Sequence, residues 1–355
     1  MSVKKPAKTT KKQPEHKIPF YKHLLKFLIW VVIIFAVLVG IVWVAFQVSP
    51  WPSALLIRDA FDKNSLQVSR ALEKYVPDNV DSMLNQQYRQ NDNDGYMDVY
   101  FPKGTNKPLP TVVWVHGGGW ISGDKKNIAN YMKILAGKGY TVIAVDYTIA
   151  PEKQYPVPVI QVGEALGYIN KQAERLHVDA NQIVLAGDSA GSQIASQVAA
   201  MVTNPDYAKE IGIATNLNKN QLVGMLLNCG AYDIKIANAD GNDEDAKLLR
   251  TFLWSYSGRK DFMNDAELMQ ASVIDHVTKD FPPSFITAGN QDPLLEQSLN
   301  FSKKLKSLGV EVSDLFYPDN YTPPLNHEYQ FVLDNSAGKL ALDRMTQFLA
   351  THTKK

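Results

Sequence analysis

Only one cysteine, Cys229, occurs among the 355 residues, so no intramolecular disulfide can form and stability has to come from burial. That excludes the disulfide-stapled secreted scaffolds and fits either the cytosol or the outer surface of a bacterium that makes little use of disulfides. Net charge is equally scarce, with 37 Lys and Arg against 36 Asp and Glu. The balance hides an asymmetry: Lys4, Lys5, Lys8, Lys11, Lys12, Lys17, Lys22 and Lys26 crowd the N-terminus against Glu15 alone. These basic residues stop where an apolar run begins and the remainder of the chain is acidic, which speaks against nucleic acid as a partner. No internal repeat is evident, and an apolar share of 45% is that of a chain able to bury a real core.

From Phe27 to Phe46 every residue is apolar or Gly, about the 20 residues a helix needs to cross the hydrocarbon core. A cleaved signal peptide is the alternative, but its apolar region should be shorter, and no small-x-small site follows in Gln47-Val48-Ser49-Pro50. The chain therefore divides into a basic tail (1–26), a single-pass anchor (27–46), a linker with an N-terminal helix (47–95), a main domain (96–350) and a short tail (351–355). By the positive-inside rule the lysine-rich end stays cytoplasmic and the main domain lies outside. Apolar residues at helical spacing between Ser53 and Tyr75, closed by Pro77, predict one amphipathic helix. Its face can cover a cleft, lie on the bilayer or pack on the domain.

The main domain alternates strands and helices. Strands are expected at 96–101, 111–116, 140–147, 182–186, 222–228, 284–288 and 310–317, and helices at 127–136, 156–176, 192–201, 294–308 and 337–350. This order implies an α/β fold with a mostly parallel central sheet and helices on both faces, where ligands bind at the carboxyl ends of strands. Between about 231 and 281 the alternation breaks down, with an acidic run from Asp240 to Asp245 and then the apolar-aromatic 248–254. An insertion this long is expected to form a partly helical cap.

Two motifs carry chemistry. Gly187-Asp188-Ser189-Ala190-Gly191 joins a buried strand to an Ala-rich helix, which is the setting of a nucleophile elbow. His116-Gly117-Gly118-Gly119-Trp120 follows another buried strand. Its glycines let backbone N–H groups converge on one point, and it lacks the lysine and the G-x-G-x-x-G spacing of a phosphate loop. The N–H groups of Gly117, Gly118 and Ala190 are the expected oxyanion donors. A serine nucleophile needs a base and an orienting carboxylate. Of the seven histidines, only His327 follows the final strand in a loop that can return to the carboxyl edge of the sheet. Asp292 lies just past the strand at 284–288, with Asp319 as its rival, whereas Asp314 would point from a strand. The order Ser189, Asp292, His327 is the order expected of an α/β hydrolase.

Together with Asp146-Tyr147, Pro151-Glu152 and Tyr155-Pro156, these motifs resemble the hormone-sensitive-lipase group of α/β-hydrolase esterases over roughly 97–350. The resemblance implies a carboxylesterase with a Ser189–Asp292–His327 triad, no metal or organic cofactor, and a cap built from an N-terminal helix plus an insertion. The chain departs from the group at Glu328-Tyr329, where Gly-Phe usually follows the histidine, and at Asp292-Pro293-Leu294-Leu295-Glu296, where a second aspartate is usual. The expected substrate is a small or amphiphilic ester whose acyl-chain length no motif reports, and the short spacing after the anchor points towards amphiphiles or the cell envelope. A peptidase or amidase of the same fold, and a surface binding module without catalysis, are the alternatives. Oligomeric state has no signature in the sequence.

Overall fold

The computed structural model describes residues 1–3, 20–236 and 244–354. The lysines between 4 and 19, and the part of the acidic run from 240 to 243, lie outside the described residues. The chain divides into two compact units, Met1–Ser49 and Pro50–Lys355. Among its described residues, the first unit holds one helix, α1 (Phe20–Val48), with no buried residue. Its 29 residues extend the 27–46 run at both ends, and about 43 Å of helix is ample for a bilayer core.

The second unit runs through α2 (Trp51–Leu72), β1 (Val80–Gln87), β2 (Tyr96–Pro102), β3 (Leu109–Val115), α3 (Ala129–Ala136) and β4 (Thr141–Val145). It continues through α4 (Val157–Lys171), β5 (Val178–Asp188), α5 (Ala190–Thr203), α6 (Pro205–Ile211) and β6 (Leu222–Asn228). The last part holds α7 (Glu244–Ser257), α8 (Ala266–Met269), β7 (Ser284–Thr287), α9 (Leu295–Ser307), β8 (Val312–Leu315) and α10 (Ser336–His352). The strands form one sheet in the order β1-β2-β4-β3-β5-β6-β7-β8. The pairs β1/β2 and β2/β4 are antiparallel, and every pair from β4/β3 to β7/β8 is parallel.

Alternate side chains of β3 explain why both faces are covered. Val113 and Val115 enter a core with Val159 and Ile169 of α4, Ile194 and Val198 of α5, and Phe301 of α9. Val112 and Trp114 enter the opposite core with Tyr131 of α3 and Met345 and Phe348 of α10. This is the α/β-hydrolase fold, and seven of its eight strands coincide with segments read from apolar patterning. The eighth, β1, has no such pattern because it is a largely polar edge strand whose register against β2 shifts between Met83 and Gln86, which breaks the alternation of its side chains. Two boundaries also differ. The helix expected over 156–176 stops at Lys171, and the chain then turns through His177, whose φ of 57° ends any helical path. Strand β5 begins earlier than 182, at Val178.

Candidate active site

The site is built on the turn between β5 and α5. Ser189 adopts φ 51° and ψ −123°, a conformation that costs an L-residue about 1–3 kcal/mol and persists only where its surroundings enforce it. Enforcement comes from β6: the Ser189 N–H donates to the Asn228 carbonyl at 2.9 Å, and Asn228 Nδ2 donates to the Gly187 carbonyl at 2.9 Å. Ser192 Oγ accepts the Asn228 N–H at 3.0 Å and lies 2.7 Å from the Gly187 carbonyl. A Cβ on Gly191 would stand 2.1 Å from the Val115 carbonyl oxygen, so the helix start can press against the end of β3 only as glycine.

The three side chains expected to form the relay meet here. His327 Nε2 lies 2.9 Å from Ser189 Oγ, and His327 Nδ1 lies 2.9 and 3.0 Å from the two oxygens of Asp292. Facing a carboxylate, Nδ1 carries the proton and Nε2 accepts from the serine hydroxyl. Asp292 is held in turn by the Leu294 N–H at 2.8 Å. Asn290 joins the two loops, accepting from the Leu325 N–H at 2.8 Å and donating to the Asp319 carbonyl at 3.1 Å. The rival Asp319 is exposed, and its recorded contact is through this carbonyl. Asp314 is taken by Ser302 and Lys306.

Burial opposes a charged imidazole, yet Cys229 and Asp292 raise the His327 pKa well above the ordinary 6.5. Burial also pushes the Cys229 thiol up to about 11, which leaves it neutral at pH 7. Asp292 is therefore the partner that sets negative charge against the ring.

The glycine loop corrects one expectation. The Gly117 N–H does not face the serine, because it donates to Asp188 Oδ2 at 2.8 Å, while Trp114 Nε1 donates to Asp188 Oδ1 at 2.6 Å. Gly117 is required for a different reason: a Cβ there would stand 2.3 Å from Asp188 Oδ2 and 2.9 Å from Glu328 Oε1. The N–H groups of Gly118 and Gly119 have no acceptor among the described residues, and that of Ala190 lies at the N-terminus of α5, where the first N–H groups of a helix lack an intrahelical partner. His116 braces this loop, with Nδ1 2.8 Å from the Gly117 carbonyl and its ring stacked on Tyr147.

A cavity of about 870 Å³ opens over Ser189. Phe61 and Val68 of α2 and Leu248 and Phe252 of α7 line it, and Phe61 meets Phe252 edge-on at 5.9 Å. The helix after the linker and the insertion thus share the roof. Helix α2 is also fastened to the domain, where Arg58 donates to the Ile121 and Ala150 carbonyls and pairs with Glu152. Asn228, Asn290 and Glu328 were not singled out from the sequence. Only the unusual Glu328-Tyr329 pair hinted at one of them.

Residues 97–305 match the BD-FAE family. The chain is 31% identical over 219 residues to an esterase of Gibberella moniliformis (strain M3125 / FGSC 7600), covering 59% of this chain and 64% of that one. It is 26% identical over 207 residues to esterase LipC of Mycobacterium tuberculosis, covering 57% and 49%. The matches thus span less than two thirds of the length of these curated relatives. Among solved structures, esterase B from Lactobacillus Rhamnosis (HN001) superposes with a TM-score of 0.70 at 23% identity, over 84% of this chain and 96% of the other. That likeness shows the fold.

Proposed function

Because the chain belongs to the BD-FAE family of α/β hydrolases, whose match covers more than half of it, we propose that it is a serine carboxylesterase of small or amphiphilic esters, tethered to a membrane by α1. The observation that carries the reading is the hydrogen-bonded series Ser189–His327–Asp292 beside a cavity lined in part by the apolar Phe61, Val68, Leu248 and Phe252. In the proposed cycle His327 Nε2 takes the Ser189 proton as Oγ bonds to the ester carbonyl carbon. The Gly118, Gly119 and Ala190 N–H groups hold the resulting oxyanion, each such donor contributing about 100- to 1,000-fold in rate. Collapse breaks the bond to the alkoxy oxygen, which leaves with the proton from His327. Water, deprotonated by the same ring, then releases the acyl group from Ser189. Asp292 keeps the proton on Nδ1 and stabilises the imidazolium at each stage.

The tether is supported by the length and apolarity of α1, and the lysines that precede it in sequence favour a cytoplasmic N-terminus with the catalytic unit outside. Expressed at full length, the protein is expected to sediment with membranes and, in that fraction, to hydrolyse a short p-nitrophenyl ester much faster than an aminoacyl anilide. Anilide turnover equal to ester turnover favours a peptidase instead, and full-length activity in the soluble fraction contradicts the tether.

A further inference from the structure

Glu328 takes no part in the cycle above, yet it occupies an unusual place. Its backbone is left-handed, with φ 59° and ψ 29°, a conformation ordinarily left to glycine, so a glutamate is held there against its own preference. The turn carries its carboxyl across the cavity wall to the nucleophile elbow. There it is hydrogen-bonded to Asp188, with Oε1 4.0 Å from His327 Nε2 and against the glycine loop at Gly117. About a third of the side chain, 34%, stays open to the cavity.

We propose that Glu328 is a positioning residue that holds one proton between its own carboxyl and that of Asp188, tying the histidine loop to the elbow and the glycine loop, and that hydrolysis requires this proton. The proposal rests on the esterase reading. Two carboxylates in contact cannot both be charged without a counterion, so one keeps a proton. Asp188 accepts N–H bonds from Trp114 and Gly117, which favour its ionised form against the effect of burial. The proton therefore sits on Glu328, whose pKa burial and the Asp188 charge push up to about 8.

The surroundings supply no fixed positive charge. The groups facing the pair are His116 and Trp114 from the β3 side, Tyr147 after β4, Tyr131 of α3, Cys229 after β6, and His327 with Asp292. Asp245 and Glu296 line the same cavity from α7 and α9, and no Lys or Arg does so among the described residues. When the proton leaves to solvent through the open side, a second negative charge appears beside the N–H groups that must bind an oxyanion. The same charge lies 4.0 Å from His327 Nε2, where it favours the imidazolium over the free base. Both effects lower turnover. The histidine and the acid pair titrate as a coupled set, so the pH profile reports apparent values.

The test follows kcat/KM for a neutral short alkyl ester at constant pH with the full-length protein. The native enzyme is expected to lose activity above about pH 8, roughly tenfold per unit at the steep end. In Glu328→Gln, which keeps a donor for Asp188 but cannot ionise, that alkaline fall is expected to vanish. Glu328→Ala, with neither donor nor charge, is expected to lose the fall as well and at pH 7 to run about tenfold below the Gln variant. An alkaline limb unchanged in Glu328→Gln, or absent from the native enzyme, overturns the proposal, as does equal activity of the Gln and Ala variants at pH 7. Reaction of the native protein with a fluorophosphonate separates the two readings: a protein that labels but keeps its limb in the Gln variant refutes this inference alone, whereas one that never labels refutes the esterase reading.

Discussion

Replacing Ser189 with Ala is expected to lower kcat for a short p-nitrophenyl ester by about 10⁵- to 10⁶-fold, with the thermal midpoint little changed. The loss is large because the hydroxyl oxygen is the one protein atom in the proposed cycle that bonds to the substrate, and what survives is the help that backbone donors give to attacking water. The fold should tolerate the change. Ser189 adopts its strained backbone through the Asn228 carbonyl and the close approach of Gly191 to Val115, neither of which involves Oγ. Turnover within tenfold of the native enzyme, on protein shown to be folded, contradicts the assignment.

Asp292→Asn is expected to be nearly as damaging, about 10⁴-fold in kcat or about 5 kcal/mol of transition-state stabilisation. The amide can present an N–H to Nδ1, which turns Nε2 into the protonated nitrogen and leaves no acceptor for the Ser189 hydroxyl 2.9 Å away. A second readout follows from the charge. The Asp292 carboxylate helps raise the His327 pKa well above 6.5, and the ring works as a base only above its pKa. Removing that charge should move the acid limb of the remaining activity to lower pH. An acid limb that stays in place, measured as kcat/KM against pH, contradicts the role given to Asp292.

Much of the site was legible because the elements that build it are local. Gly187 to Gly191 and His116 to Trp120 are short runs whose glycines answer to close backbone approaches, and each follows a strand that apolar patterning reveals. The pairing of Asp292 with His327 was accessible through chain order and position past the last strands. What the sequence concealed are contacts between distant segments. The hydrogen bond from Gly117 to Asp188 spans 71 positions, and nothing in the run of three glycines says which N–H is already engaged. Asn228, at the end of β6, and Asn290, in the loop past β7, look like ordinary polar residues until the elbow and the histidine loop are seen beside them. Strand β1 escaped for the opposite reason, since a polar edge strand carries no periodic signal.

The most direct test of the central claim is the mass of the protein after exposure to a fluorophosphonate, with the modified residue mapped by fragmentation. The account predicts one adduct per chain, on Ser189, formed at a rate that collapses when His327 is replaced by Ala. A folded native protein that gains no adduct, or gains it on another serine, contradicts it.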